Sequence, residues 1–128
     1  MKISVKELAR ESFEPYGRIL LPRKGEQAEV QENGLFDFYV PFVEQSQGWQ
    51  IGYLLNKTKR VGKLERHPNT PEVFCPLSGE SVLVVLEDPR YPESVFGFPL
   101  ARPIVFNRGV WHGVLTASGL SEILIVEN

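Results

Sequence analysis

Four side chains in this sequence could do proton chemistry together: Glu65, His67, Glu72 and His112. His67 and His112 are the only two histidines among the 128 residues. An imidazole with an ordinary pKa of about 6.5 donates or accepts a proton near neutrality, which suits general acid–base work. Two carboxylic acids in the same interior would raise each other's pKa, and burial would raise both further. Such a pair either readies one carboxyl as a proton donor or asks for a cation. Two imidazoles with two carboxylates are also a reasonable ligand set for a divalent transition metal. These residues point to acid–base catalysis by His67, His112 and Glu72 with no cofactor required. If a divalent metal is bound, Glu65, His67, Glu72 and His112 are the expected ligands.

Those side chains need elements to bring them together. In Lys63-Leu64-Glu65-Arg66-His67, the polar Lys63, Glu65 and His67 alternate with Leu64 and Arg66. Alternate side chains of a strand share a face, so a strand over residues 60–67 would present these three together and turn Arg66 outward. Pro68-Asn69-Thr70-Pro71 is a turn signal. A second strand, over residues 73–76, could return beside the first and bring Glu72 to the same face. Asn107-Arg108-Gly109 is a second turn, able to aim His112 inward. Lys63 could meet a substrate carboxylate, with Glu65, Phe74 and Trp111 as further substrate contacts. Tyr53, Phe74, Phe96, Phe98 and Trp111 read as core or cavity wall. Cys75 alternates away from Glu72 and Phe74, and reads as a small buried hydrophobe rather than a nucleophile.

The remaining pattern is one of strands. Ser4-Val5-Lys6-Glu7 has the form of a capping box, which predicts a short N-terminal helix with Val5, Leu8 and Ala9 on one face. Pro15 ends it. Strands are expected over residues 18–21, 28–32 (a short edge strand), 35–42 and 49–55. In the last of these Trp49, Ile51 and Tyr53 share a face. After residues 60–67 and 73–76, strands are expected over 81–86, 95–98, 103–106, 113–115 and 122–126. Ser81 to Leu86 is almost unbrokenly apolar, as in a strand buried on both faces. So many short strands at close spacing predict an all-β sandwich or barrel, one domain over residues 1–128.

Net charge is -2, with both signs spread along the chain. That lacks the basic stripe of a nucleic-acid-binding protein, and the local cluster Lys57, Lys59, Arg60 and Lys63 reads as turn and strand surface. No apolar run approaches the roughly 20 residues of a membrane span, and Met1 to Val5 lacks a signal-peptide block. A single cysteine excludes an internal disulfide and fits the cytoplasm.

The site residues carry a resemblance. The stretch from Gly62 to Gly79 resembles the first cupin motif, a Gly, His-x-His, Glu and closing Gly, with Glu65 in place of the first His and His67, Glu72 and Gly79 matching the rest. Asn107, Gly109 and His112 stand in the second motif, Pro-x-Gly-x-x-His. The wording is nearer still to the ureidoglycolate lyases. Phe13-Glu14-Pro15-Tyr16-Gly17, Glu65-Arg66-His67-Pro68, Phe74-Cys75-Pro76-Leu77-Ser78-Gly79 and Gly109-Val110-Trp111-His112 match four of that family's patterns in order. The resemblance implies a cupin jelly-roll barrel with the site in its mouth and a homodimer formed by sheet pairing. It implies a lyase that cleaves a C–N bond of ureidoglycolate to glyoxylate and urea, in allantoin degradation and purine metabolism, or a relative acting on a similar hydroxy-acid ureide. The alternatives are a metal-dependent cupin dioxygenase or isomerase, and a cupin that binds a small ligand without turnover. Two departures stand out: the family pattern has Gln where this chain has Glu72, and it continues His-Pro where this chain has Gly113-Val114.

Overall fold

The computed structural model describes residues 2–128. Its elements are β1 (Ser4–Val5), α1 (Arg10–Phe13), β2 (Gly17–Ile19), β3 (Val30–Glu32), β4 (Phe36–Phe38), β5 (Gln50–Asn56), β6 (Glu72–Ser78), β7 (Ser81–Leu86), β8 (Val95–Pro99), β9 (Ile104–Phe106), β10 (Trp111–Thr116) and β11 (Ser121–Glu127). The all-β class expected from the pattern is borne out. One sheet has the order β1-β8-β7-β10 and a second the order β2-β9-β6-β11-β5, with β3 and β4 forming a separate hairpin. The two large sheets are separate hydrogen-bonded layers, so the described residues form a two-layer sandwich rather than a barrel closed by backbone bonds.

One core joins the layers. Leu83, Val85 and Phe98 of the first sheet meet Phe74, Ile104, Phe106 and Ile123 of the second. Phe13, at the end of α1, is wedged between them: its ring lies 5.2 Å from Phe98, edge-on, and 5.8 Å from Phe106. Each such aromatic side chain buries roughly 150–250 Å². Strand alternation decides what reaches this core. In β6, Glu72 and Phe74 are buried and Cys75 lies on the other face, half-buried. Pro76 sits in the same strand although it has no N–H to give. The pairing with β11 accommodates it by a register shift between Glu122 and Ile123.

Several expectations are corrected. Ser4 does not cap a helix: Ser4 and Val5 form β1 and pair in parallel with Phe96 and Gly97 of β8. The short helix starts instead at Arg10, where the Ser12 hydroxyl accepts the Ala9 N–H at 3.2 Å. A sheet edge in need of a partner has won over the local capping pattern. The expected strand over residues 35–42 shrinks to β4, whose Phe36 and Phe38 stay exposed. Trp49, Ile51 and Tyr53 do share a face, but it is the outer one. Tyr53 is 57% exposed and therefore not core.

The largest correction concerns residues 60–67. They form no sheet strand and do not pair with β6. Residues 57–67 are instead a strap laid beside β10. Thr116 N–H donates to the Thr58 carbonyl at 2.8 Å at one end. At the other, Glu65 and His112 exchange two backbone hydrogen bonds, each 2.8 Å. Between those ends the strap arches away from the ladder. Gly113 makes room for it: a Cβ there would lie 3.0 Å from Val61 Cγ1 and 3.1 Å from Leu64 Cδ2.

Candidate active site

A cavity of about 740 Å³ opens between the strap and the inner face of the second sheet. His67, Glu72 and His112 meet in it from three directions. β6 supplies Glu72 from the middle of its sheet. The turn at residues 68–71 folds His67 back over that carboxylate. The second turn delivers His112: Gly109, at φ 78°, takes the left-handed conformation a residue without Cβ adopts freely, and its N–H donates to the His67 carbonyl at 3.0 Å. His112 then begins the alternation of β10 facing inward, packed 4.5 Å from the Phe106 ring and 5.8 Å from Phe74.

The three groups form a relay. His112 Nε2 is 3.1 Å from Glu72 Oε1, and His67 Nε2 is 3.1 Å from Glu72 Oε2. His112 Nδ1 lies 2.9 Å from the Val110 carbonyl. A carbonyl can only accept, so Nδ1 carries a hydrogen and donates. The contact between Nε2 and the Glu72 carboxyl then needs one further proton shared between them. His67 is the freer member. Its Nε2 is buried with no hydrogen-bond partner among the described residues, because Glu72 Oε2, although close, lies off the line a hydrogen bond requires. His67 lines the cavity, and this nitrogen is left as an uncommitted proton donor or acceptor.

Electrostatics reinforces the pairing. Burial pushes the His112 pKa down, but the hydrogen bond to Glu72, the one to Val110 and the charges of Glu72 and Glu65 outweigh it, so His112 is held above its ordinary 6.5. Burial pushes the Glu72 pKa up, but hydrogen bonds from His112 and Glu127 and the charges of His112 and His67 win, and it lies below its ordinary 4.5. Both shifts favour an imidazolium–carboxylate pair. The sequence-based expectation of a carboxyl raised as proton donor is therefore reversed for Glu72. The raised carboxyl is that of Glu127, lifted first by its hydrogen bond with Glu72 and then by burial.

Of the residues singled out from sequence, Lys63, Glu65 and Phe74 line the same cavity as His67, Glu72 and His112. Glu65 stands apart from the relay, 69% exposed and with Oε2 3.9 Å from His67 Nε2. Trp111 does not reach the cavity. Strand alternation turns it to the opposite face from His112, where Arg66 lies 5.5 Å above its ring. Two charged cavity residues escaped the sequence reading of the site. Arg60 lines the cavity from the strap, because the strap is not the surface strand its composition suggested. Glu127 lines it from the end of β11. The signal was the parity of Ile123, Ile125 and Glu127, but the expected strand stopped at residue 126.

The donor set also suits a divalent cation. One ligand atom each from His67, Glu72 and His112 lies within 4.8 Å of the others, two imidazoles and one carboxylate with space beyond them in the cavity. The fourth ligand expected from sequence, Glu65, is not in that group.

Comparison with known proteins agrees in direction. The family model described as ureidoglycolate lyase matches residues 1–128. The chain is similar to the ureidoglycolate lyase of Mesorhizobium japonicum, with 27% identity covering 98% of this chain and 85% of that protein. It is 29% identical to the ureidoglycolate lyase of Pseudomonas paraeruginosa, covering 98% of this chain and 82% of that protein. Among solved structures, a dTDP sugar isomerase from Desulfovibrio desulfuricans matches 87% of this chain and 71% of its own, at 18% identity and a TM-score of 0.48.

Proposed function

The chain belongs to the ureidoglycolate lyase family, and from that premise we propose that it cleaves ureidoglycolate to glyoxylate and urea. The observation that carries the reading is the His67–Glu72–His112 relay in a cavity whose wall also holds Arg60 and Lys63. The substrate bears a hydroxyl, a ureido nitrogen and a carboxylate on one carbon. Its cleavage needs a base for the hydroxyl proton and an acid for the leaving nitrogen. Arg60 and Lys63 supply positive charge for the carboxylate, which offsets the negative charge of Glu72 and Glu65.

In this reading the hydroxyl proton passes to His67 Nε2, the uncommitted nitrogen. As the carbon–oxygen bond becomes a carbonyl, the C–N bond breaks and its electron pair goes to the urea nitrogen. That nitrogen takes the proton shared by His112 and Glu72. A small turn of the His67 ring then brings Nε2 into line with Glu72 Oε2, 3.1 Å away, the proton passes to the carboxylate, and the site is restored. The Val110 carbonyl holds the His112 ring in place throughout. The cycle calls for no cofactor. A divalent cation held by His67, Glu72 and His112 would supply Lewis-acid polarisation of the substrate oxygens.

We place the reaction in allantoin degradation within purine metabolism, and the protein in the cytoplasm, where its single, half-buried Cys75 stays reduced. We assign the active form as a homodimer. β5 is the edge strand of its sheet, and Trp49, Ile51 and Tyr53 expose their side chains beside it. Phe36 and Phe38 are exposed on the β3–β4 hairpin, a two-stranded element that is marginal on its own. A second copy covering these surfaces would bury both. Sedimentation equilibrium should give twice the chain mass, and the mass of one chain would refute the assignment.

The function is tested by product analysis. Wild-type protein given ureidoglycolate should release glyoxylate and urea in equal amounts. Ammonia in place of urea, or no product, would overturn the reading.

A further inference from the structure

We propose that the far side of the strap holds a second binding site, for a small monocarboxylate with a short apolar tail. Its occupation weakens substrate binding by drawing on Arg60 and Lys63, a consequence that rests on the lyase reading. A second cavity, of about 560 Å³, lies there. Strand alternation explains its place. Leu83 and Val85 of β7 point into the core, so Val84 points to the outer face of the first sheet. Val95 of β8 and Leu115 of β10 share that face by register. These three and Ile3, just before β1, give the cavity an apolar floor. Val84 is only 4% exposed although it faces outward. Val61 and Leu64 of the strap close over Gly113, the β10 partner of Val84. Residues 60–63 line both cavities, so this part of the strap is a partition between them.

Charge decides what such a cavity takes. Lys2, Lys59, Arg60 and Lys63 line it, and no Asp or Glu does. The first cavity, by contrast, sets Glu65, Glu72 and Glu127 against Arg60 and Lys63. Among the described residues none of the four cations takes part in an ion pair. The chain as a whole carries a net charge of -2, so this concentration of positive charge is local. Four like charges around one cavity repel each other and focus a positive potential into it, and a bound anion removes the conflict. A carboxylate suits the planar fork of Arg60, which can donate two parallel N–H bonds to it. The floor adds the second requirement: each methylene buried against it gains roughly fourfold in affinity, which a purely inorganic anion forgoes. Arg60 and Lys63 cannot serve both cavities at once. The two ligands are therefore negatively coupled, each weakening the other by the same factor.

The probe is hexanoate, with 1-hexanol as its uncharged counterpart and inorganic phosphate as an anion without a tail. Binding is read without turnover from the methyl NMR signals of Val84, Val95 and Leu115. The variant is Lys2→Gln with Lys59→Gln, two exposed residues that line only the second cavity. Hexanoate should move those methyl signals saturably in wild type, and the variant should bind it about 3–10-fold more weakly. Hexanol and phosphate should each bind more weakly than hexanoate. Equal binding of hexanol would show that the cations play no part, and equal binding of phosphate that the floor plays none; either overturns the site as described. Shifts confined to Phe74 and His112 would place hexanoate in the first cavity and overturn it too. In turnover, hexanoate should raise the KM for ureidoglycolate in wild type and raise it less in the variant, whose activity without hexanoate matches wild type. An equal rise in both would overturn the coupling, since hexanoate would then be competing in the first cavity. If wild type shows no turnover, the lyase reading fails and the methyl signals alone decide the second site.

Discussion

Replacing Gly113 with alanine probes what positions the strap. The added Cβ would lie 3.0 Å from Val61 Cγ1 and 3.1 Å from Leu64 Cδ2. Carbon atoms in ordinary contact sit about 3.5–4.0 Å apart, so the strap must retreat by roughly half an ångström to one ångström. Overpacking of this kind costs about 1–3 kcal/mol. The low end is expected, because the strap is tied to β10 by backbone bonds at Thr58 and Glu65 and is free to lift between them. The same movement carries Arg60 and Lys63 away from the cavity and pulls on His67. A misplacement of about 1 Å can cost on the order of 100-fold in rate. Gly113→Ala should therefore lose about 1 kcal/mol in urea unfolding and about 10–100-fold in kcat/KM. A variant destabilised as expected but with wild-type kcat/KM would refute the idea that the strap places groups on the substrate.

Other perturbations have equally definite outcomes. Glu72→Gln keeps the shape of the side chain and removes its charge, so the His112 pKa should fall relative to wild type in an NMR titration. An unchanged value would show that Glu72 is not what holds it up. For stability against pH, His112 is raised in the folded state, so its contribution is fully present below 6.5 and is lost as pH rises through the raised value. Glu72 is lowered, so its contribution is present above 4.5 and is lost as pH falls through the lowered value. Unfolding free energy should peak between those two values and decline on both sides, and Glu72→Gln should flatten the profile. A wild-type profile already as flat as that of the variant would contradict the pairing. The buried hydroxyls of Ser81 and Ser121 bond each other at 2.8 Å. Ser81→Ala alone should cost about 1–3 kcal/mol because it strands Ser121, while Ser81→Ala with Ser121→Ala should cost less than the sum of the two single changes. Strict additivity would argue against the bond.

What the sequence made legible was set by period and by turn chemistry. The apolar run Ser81 to Leu86 is β7 with the same bounds, and alternation in β6 correctly put Glu72 inward and Cys75 away from it. His67, Glu72 and His112 converge as expected, although the route differs. Alternation in residues 63–67 suggested a strand against β6, whereas the segment lies along β10 and only the turn at 68–71 brings His67 back to Glu72. Period-two alternation records which side chains share a face, not which neighbour pairs. Gly113 explains part of that outcome. Its lack of a side chain is a packing fact, and nothing local marks it. The capping box at Ser4 failed for a related reason, since an unpaired edge of β8 offered backbone partners that a single helical turn could not match. Glu127 was missed because a charged residue at a strand end looks like surface unless the strand continues one residue further.

The central claim is that the His67–Glu72–His112 relay turns over ureidoglycolate. The most direct measurement is glyoxylate release from ureidoglycolate by wild type and His112→Ala, each before and after exhaustive chelation. The account predicts release by wild type that survives chelation and falls by at least about 100-fold in the variant. Release by His112→Ala at the wild-type rate, or wild-type release abolished by the chelator and restored only by a divalent metal, would contradict it.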